Sequence, residues 1–306
     1  MIDRSLGDPA AHYLRDRLAA RDWPAVRDFL DTVSDPDDRA FYLSVCADVD
    51  GVQDWIGDVV AAERHSTLPL LVRGAHGVFW AWQARGAKGA KYTGEDQFKE
   101  FFKRLKTAEN CLDEVVQRDP DDTTAWTFLV ASARGRQVDR AEAQRRFDEV
   151  VKRHPYHRIA HEHMLQYLCR KWFGSHEEMF DFARAAAAAA PPGDPLGYLV
   201  AVAHVEQWLD LPDEEDLAYL QRPDVLAELH AAVDRTVRHP AFVRRPGWPV
   251  IPNWYAFAFS CGHQWPAAAE QFDLIGDLAY GPWGYIRGDE VGEFLDLREL
   301  AYELRS

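Results

Sequence analysis

Two stretches of the chain repeat one pattern of apolar and polar positions. CLDEVVQRDP (111–120) and RFDEVVKRHP (146–155) align without a gap, 35 residues apart. In each, an apolar residue (Leu112 or Phe147) precedes Asp-Glu-Val-Val, and an arginine and a closing proline follow. One further period on, with one residue inserted, Phe182 opens FARAAAAAAPP, and AAVDRTVRHP (231–240) is a fourth, weaker echo. After the first proline, DDTTAWTFLVASARG offers Asp121 or Asp122 as a helix cap. Trp126, Leu129, Val130 and Ala133 then fall on one helical face. His161, Met164, Leu165 and Leu168 take the same offsets in the next unit. Proline cannot extend the helix before it, and it suits the first turn of the helix after it. The pattern therefore predicts helix hairpins of about 35 residues, the size of a solenoid repeat.

The residues that carry this periodicity resemble the tetratricopeptide repeat (TPR). A proline is followed six residues later by an aromatic (Trp126), then by a small residue in the second helix (Ala143) and another aromatic (Phe147). RDWPAVRDFL (21–30) and HQWPAAAEQF (263–272) look like further second helices, led by Trp23 and Trp265. The match covers about 106–206, and Val130 and Leu165 stand where the repeat usually has a glycine. KWFGSHEEMFDFARAA (171–186) is also similar to bacterial TPR-like proteins of unassigned function. The resemblance implies an all-α, TPR-like α-solenoid of antiparallel helix hairpins. Its expected parts are an N-terminal helical region (1–105), the best-matching repeats (106–210), and C-terminal repeats with a capping helix (211–306). It also implies a concave groove lined by exposed positions of each first helix. These would be Thr127, Ala131 and Arg134, then Glu162, Gln166, Cys169 and Arg170, then Tyr198, Val202 and Glu206.

Elsewhere the pattern is coarser. Residues 8–31 read as one helix pair and 37–64 as another, broken near Gly51. Residues 67–85 read as a Trp-rich buried helix, and a further helix is expected over 95–117. GAKGAKYTGED (86–96) reads as a loop, and 211–225 as an acidic connection with a short helix. HPAFVRRPGWPVIPNW (239–254) is too proline-rich for regular structure, and the tail from 287 reads as a final amphipathic helix. No segment alternates as a strand would.

Composition narrows the class of job. The apolar fraction of 47% rules out a disordered chain, and the net charge of −15 argues against nucleic-acid or anionic-membrane partners. No signal-peptide core and no membrane-spanning window is present. Cys46, Cys111, Cys169 and Cys261 are scattered, so the expectation is reduced thiols in a cytoplasmic protein. Abundant Arg and Ala suggest a GC-rich bacterial source. Nothing in the pattern sets the oligomeric state.

Candidate chemistry gathers in HPYHRIAHEHMLQYLCRKW (154–172). His157 and His161, four apart on a helix, have the spacing to share zinc or copper, with Cys169, His176 or His204 as further ligands. His163 lies on another face, and H-E-x-x-H is missing. The bland alternative is that His161 fills the packing position of Trp126. Ser175 and Glu178 read as a capping box, not a nucleophile with its base. The 86–96 loop lacks the phosphate-loop order, and the acidic 213–216 lacks the alternating ligands of a calcium loop. Trp248 and Trp283 sit in loops as candidate exposed anchors. The first expectation is a non-catalytic scaffold that docks a peptide or protein segment in the groove, with Arg134 and Arg170 gripping carboxylates. A metal-binding protein built on His157 and His161 is a second, and a biosynthetic enzyme with a pocket inside the superhelix is a third. No cofactor is implied by any motif.

Overall fold

The structure, a computed structural model, describes residues 3–86, 94–212, 218–286 and 288–305. The 86–96 loop therefore falls largely, and the 213–216 stretch wholly, outside the described residues. Among those residues the fold is helical throughout, with no strand. The chain divides into two compact units. The N-terminal unit is Asp8–Tyr167, and the C-terminal unit joins Met1–Gly7 to Leu168–Ser306. The boundary falls inside 106–210, which was expected to be one block of repeats.

The N-terminal unit holds α1 (Pro9–Ala19), α2 (Trp23–Leu30), α3 (Pro36–Ala47), α4 (Ile56–Ala62), α5 (Leu68–Arg85), α6 (Glu95–Arg118), α7 (Thr123–Arg136) and α8 (Arg140–Val151). It also holds most of α9 (Arg158–Leu168). Local chemistry sets these boundaries. The carboxylates of Asp8, Asp22, Asp35, Asp122 and Asp139 each accept a backbone N–H from the first turn that follows. Such a cap is worth about 1 kcal/mol. Gly51 carries the break between α3 and α4 with φ at 81°, a left-handed conformation that costs glycine little. α1 packs on α2, and each successive pair of helices from α4 to α8 packs together, while α3, α5 and α7 also pack on one another. Of the expected hairpins, α7 and α8 pack as a pair.

The C-terminal unit runs through α10 (His176–Ala189), α11 (Tyr198–Trp208), α12 (Pro223–Arg235), α13 (Val250–Cys261), α14 (Trp265–Ile275) and α15 (Glu290–Leu304). Ser175 caps α10 as expected, its hydroxyl accepting the Glu178 N–H at 3.1 Å. The far end of that alanine-rich helix is closed by Arg235, which donates to the carbonyls of Ala187, Ala188 and Ala190. Two expectations need correction here. The proline-rich 239–254 was expected to be irregular, yet α13 begins at Val250, because Pro249 and Pro252 fall where the helix start has no N–H bonds to lose. Trp283, expected as an exposed anchor, is 1% exposed. Its indole N–H donates to Asn253 Oδ1 at 2.7 Å. Asn253, fully buried on α13, also accepts from Tyr280 N–H and donates to the carbonyls of Pro249 and Leu278. One satisfied amide thus folds the 278–283 loop, with its tryptophan, back onto the core.

Candidate functional site

Two polar centres deserve comparison, one in each unit. In the N-terminal unit, His157 is the cap of α9. Its Nδ1 accepts the Ala160 N–H at 3.3 Å, as Asp122 does for Ala125, 35 residues earlier. Its Nε2 lies 3.3 Å from the Thr127 hydroxyl, which itself donates to the Thr123 carbonyl. Asp37, at the start of α3, accepts from the Arg158 and Ile159 N–H groups of the same helix end. His161 Nδ1 donates to the His157 carbonyl at 2.8 Å, and its ring packs edge-on to Phe147. Burial lowers the pKa of both imidazoles, His161 to about 4. Both nitrogens of His157 are thus engaged, Nδ1 in closing α9 and Nε2 against Thr127 on α7. Among the described residues no group of three or more His, Cys, Asp and Glu is arranged to hold a metal.

The expected groove residues are split between the units. Thr127, Arg134, Glu162 and Gln166 belong to the N-terminal unit, and Cys169, Arg170, Tyr198 and Glu206 to the C-terminal one. Thr127, Cys169, Tyr198 and Glu206 are 0, 2, 0 and 4% exposed, in place of the expected open surface. The reason is packing on several sides: α7 meets α3, α5, α6 and α8, and α11 meets α10, α12 and α13. Arg134 donates to Gln166 at 3.2 Å, and Glu162 accepts from Arg158 at 3.4 Å, all four within one unit. Cys169 donates to the Met179 sulfur, Glu206 pairs with Lys171, and Arg170 pairs with Asp210 at 3.0 Å. His176 also reaches Asp210, at 3.0 Å. Cys169 and His176 do share a lining, but the void between them is about 10 Å³, room for roughly one water.

Sequence reading missed the strongest ionic centre of the N-terminal unit. Glu109 on α6 accepts from Ser132 on α7 at 2.7 Å, from Arg146 on α8 at 2.7 Å, and from Arg136 at 2.8 Å. Arg146 also donates to the Leu129 carbonyl and to Glu142. The side chains of Glu109 and Arg146 are 6% and 8% exposed. Burial alone would raise the Glu109 carboxyl, but the charge of Arg146 and the bonds it accepts outweigh this and hold it below the usual carboxylate range. The network ties three helices together and is closed to solvent.

The C-terminal unit has a polar centre that is open. Each of three helix segments contributes neighbours on one helical face: Phe180 and Arg184 from α10, His204 and Gln207 from α11, and Asp224, Val225 and Glu228 from α12. Tyr219 and Arg222 complete the lining from the turn before α12. They enclose a cleft of about 350 Å³, at the small end of the roughly 300–1,000 Å³ typical of ligand sites. At its floor, the 4%-exposed His204 side chain places Nδ1 2.8 Å from the Tyr219 hydroxyl and Nε2 3.0 Å from Glu228. Tyr219 donates to Gln207 Oε1 at 2.8 Å, and burial raises its phenol above the ordinary value. Arg184 grips Glu228 through Nε and Nη2, at 2.7 and 2.9 Å, while its guanidinium sits 4.7 Å from the Phe180 ring. Hydrogen bonds from Arg184, then from His204, hold the Glu228 carboxyl at about 2. Arg222 grips Asp224 in the same fashion and covers the Tyr219 ring at 5.6 Å.

Of these residues, only His204 was singled out in the sequence, and as a metal ligand. The available signal was the pairing of charged and aromatic residues at three- and four-residue spacings in FDFAR, HVEQ and RPDVLAE. No helix among the described residues is long and apolar enough to cross a membrane. No protein-family model matches the chain and no curated protein matches it, so the case for its role rests on its own residues.

Proposed function

We propose that the chain is a TPR-like helical repeat protein that works by binding a peptide or protein partner, and that the α10–α12 cleft is the docking point. The observation that carries this reading is the pair of arginines at the cleft. Arg184 and Arg222 each engage a neighbouring carboxylate through Nε and Nη2 and leave Nη1 without a partner among the described residues. Their side chains are 52% and 54% exposed, so these existing pairs are weak and can yield to a ligand. Phe180 and the Tyr219 ring supply apolar walls beside them. The test is selection of phage-displayed random heptapeptides on the full chain, with Arg184→Gln/Arg222→Gln as comparator. Selected peptides should bind the native chain and lose at least tenfold in affinity for the double variant. Equal binding to both proteins would remove the cleft from the reading.

The contact line from Glu228 through His204 to Tyr219 favours a second reading, an enzyme that donates a proton from the Tyr219 phenol. Turnover in an ester and amide substrate panel should then vanish in both Tyr219→Phe and His204→Gln. Turnover that survives in both discards this alternative.

A further inference from the structure

We infer that the cleft takes a ligand carrying an ammonium and a carboxylate close together, as a short peptide does. This rests on the binding role given above to the same cleft. The lining carries both signs: Arg184 and Arg222 stand against Asp224 and Glu228. A lone anion placed there gains from two guanidiniums but is repelled by two carboxylates, and a lone cation meets the converse. A ligand with both signs gains at both ends and buries no net charge.

The unused hydrogen-bonding groups have the same duality. On the donor side are Nη1 of Arg184, Nη1 of Arg222 and the Nε2 amide of Gln207, which among the described residues is engaged only at Oε1, by Tyr219. These three suit a carboxylate, for which an arginine edge has the matching geometry. On the acceptor side, an ionised carboxylate offers about four lone-pair sites. Asp224 receives two bonds from Arg222 and is also engaged by its own and the Val225 backbone N–H, and Glu228 receives three, two from Arg184 and one from His204. The remaining Glu228 site and the negative charge of both carboxylates suit an ammonium. His204, buried and hydrogen-bonded on both nitrogens, fixes Glu228 and Tyr219 in place, so the acceptors are held before a ligand arrives. Phe180 and Val225 contribute apolar surface to the same lining.

Two sources can supply this chemistry: the two termini of a free dipeptide, or neighbouring Lys and Glu side chains within a polypeptide. The experiment is calorimetric titration of the full chain with four probes: alanyl-leucine, N-acetyl-alanyl-leucine, alanyl-leucinamide, and a doubly capped peptide containing Lys-Glu. Saturable binding is expected for alanyl-leucine or for the capped Lys-Glu peptide, and which of them binds identifies the source. Each singly capped dipeptide should bind at least tenfold more weakly than alanyl-leucine. Arg222→Gln and Asp224→Asn, both at well-exposed side chains, should each lower affinity tenfold or more with folding unchanged. If a singly capped probe binds as tightly as the zwitterion, the ligand class is overturned while peptide docking stands. If none of the four probes binds but phage-selected peptides do, the ligand class alone is again overturned. If neither probes nor selected peptides bind, both statements fall.

Discussion

Both units contain a carboxylate held by an arginine and a second side chain across three helices, Ser132 at Glu109 and His204 at Glu228, yet the two networks have opposite character. Glu109 and Arg146 are sealed, with side chains at 6% and 8% exposure. Glu228 and Arg184 stand at 28% and 52% and border a cleft. The sealed pair must remain complete, because a lone charge left inside has no water to turn to. The open pair is cheap to exchange, because water and ligand compete for the same bonds. What separates the structural ion network from the proposed docking site here is access, not residue type.

The largest effect should come from opening the sealed network. Glu109→Ala leaves Arg146 buried without its main partner and should destabilise the N-terminal unit by about 3–5 kcal/mol, read by chemical denaturation. Glu109→Leu/Arg146→Met, which removes both charges, should recover most of that loss. A single variant within 1 kcal/mol of the native chain would break the contrast.

Acid titration gives the next effect. His161 is buried with its pKa lowered to about 4, against about 6.5 when unfolded. The unfolded chain therefore binds the proton first, and stability falls as pH drops from about 6.5 to about 4, below which this group adds no further change. The loss should approach roughly 3 kcal/mol, and His161→Phe should flatten that part of the pH profile. An unchanged profile would mean that the ring is protonated in the fold.

A smaller effect is expected at the end of α10. Arg235→Ala frees the carbonyls of Ala187, Ala188 and Ala190 and should cost about 1–2 kcal/mol, with faster amide exchange along that helix. The smallest change in stability is expected at the open network. Arg184→Gln should shift unfolding by less than about 1 kcal/mol while it weakens ligand binding. A stability loss as large as that of Glu109→Ala would make the cleft a structural element like its counterpart.

The legible part of this protein was local. Asp122 and Ser175 as caps, Pro120, Pro155 and Pro191 beyond helix ends, and Trp23 and Trp265 leading second helices all act within a few residues. The histidine-rich run resolved in the same way, since His157 occupies the capping position of Asp122 one period later. The groove residues were less legible, because the offset that marks one face of a helix does not reveal how many neighbours cover it. Thr127 and Tyr198 are buried for that reason. Trp283 was misjudged on the same ground: its loop looks open until Asn253, 30 residues away, is seen to hold it.

By itself the sequence determined the helical class and many helix ends, because caps, prolines and apolar periodicity act through bonds within one or two turns. Only the tertiary structure decided which polar side chains meet. Glu109 finds Arg146 across 37 residues and His204 finds Glu228 across 24, and both encounters depend on how helices pack against one another. The same packing leaves the first pair dry and the second at the edge of a cleft.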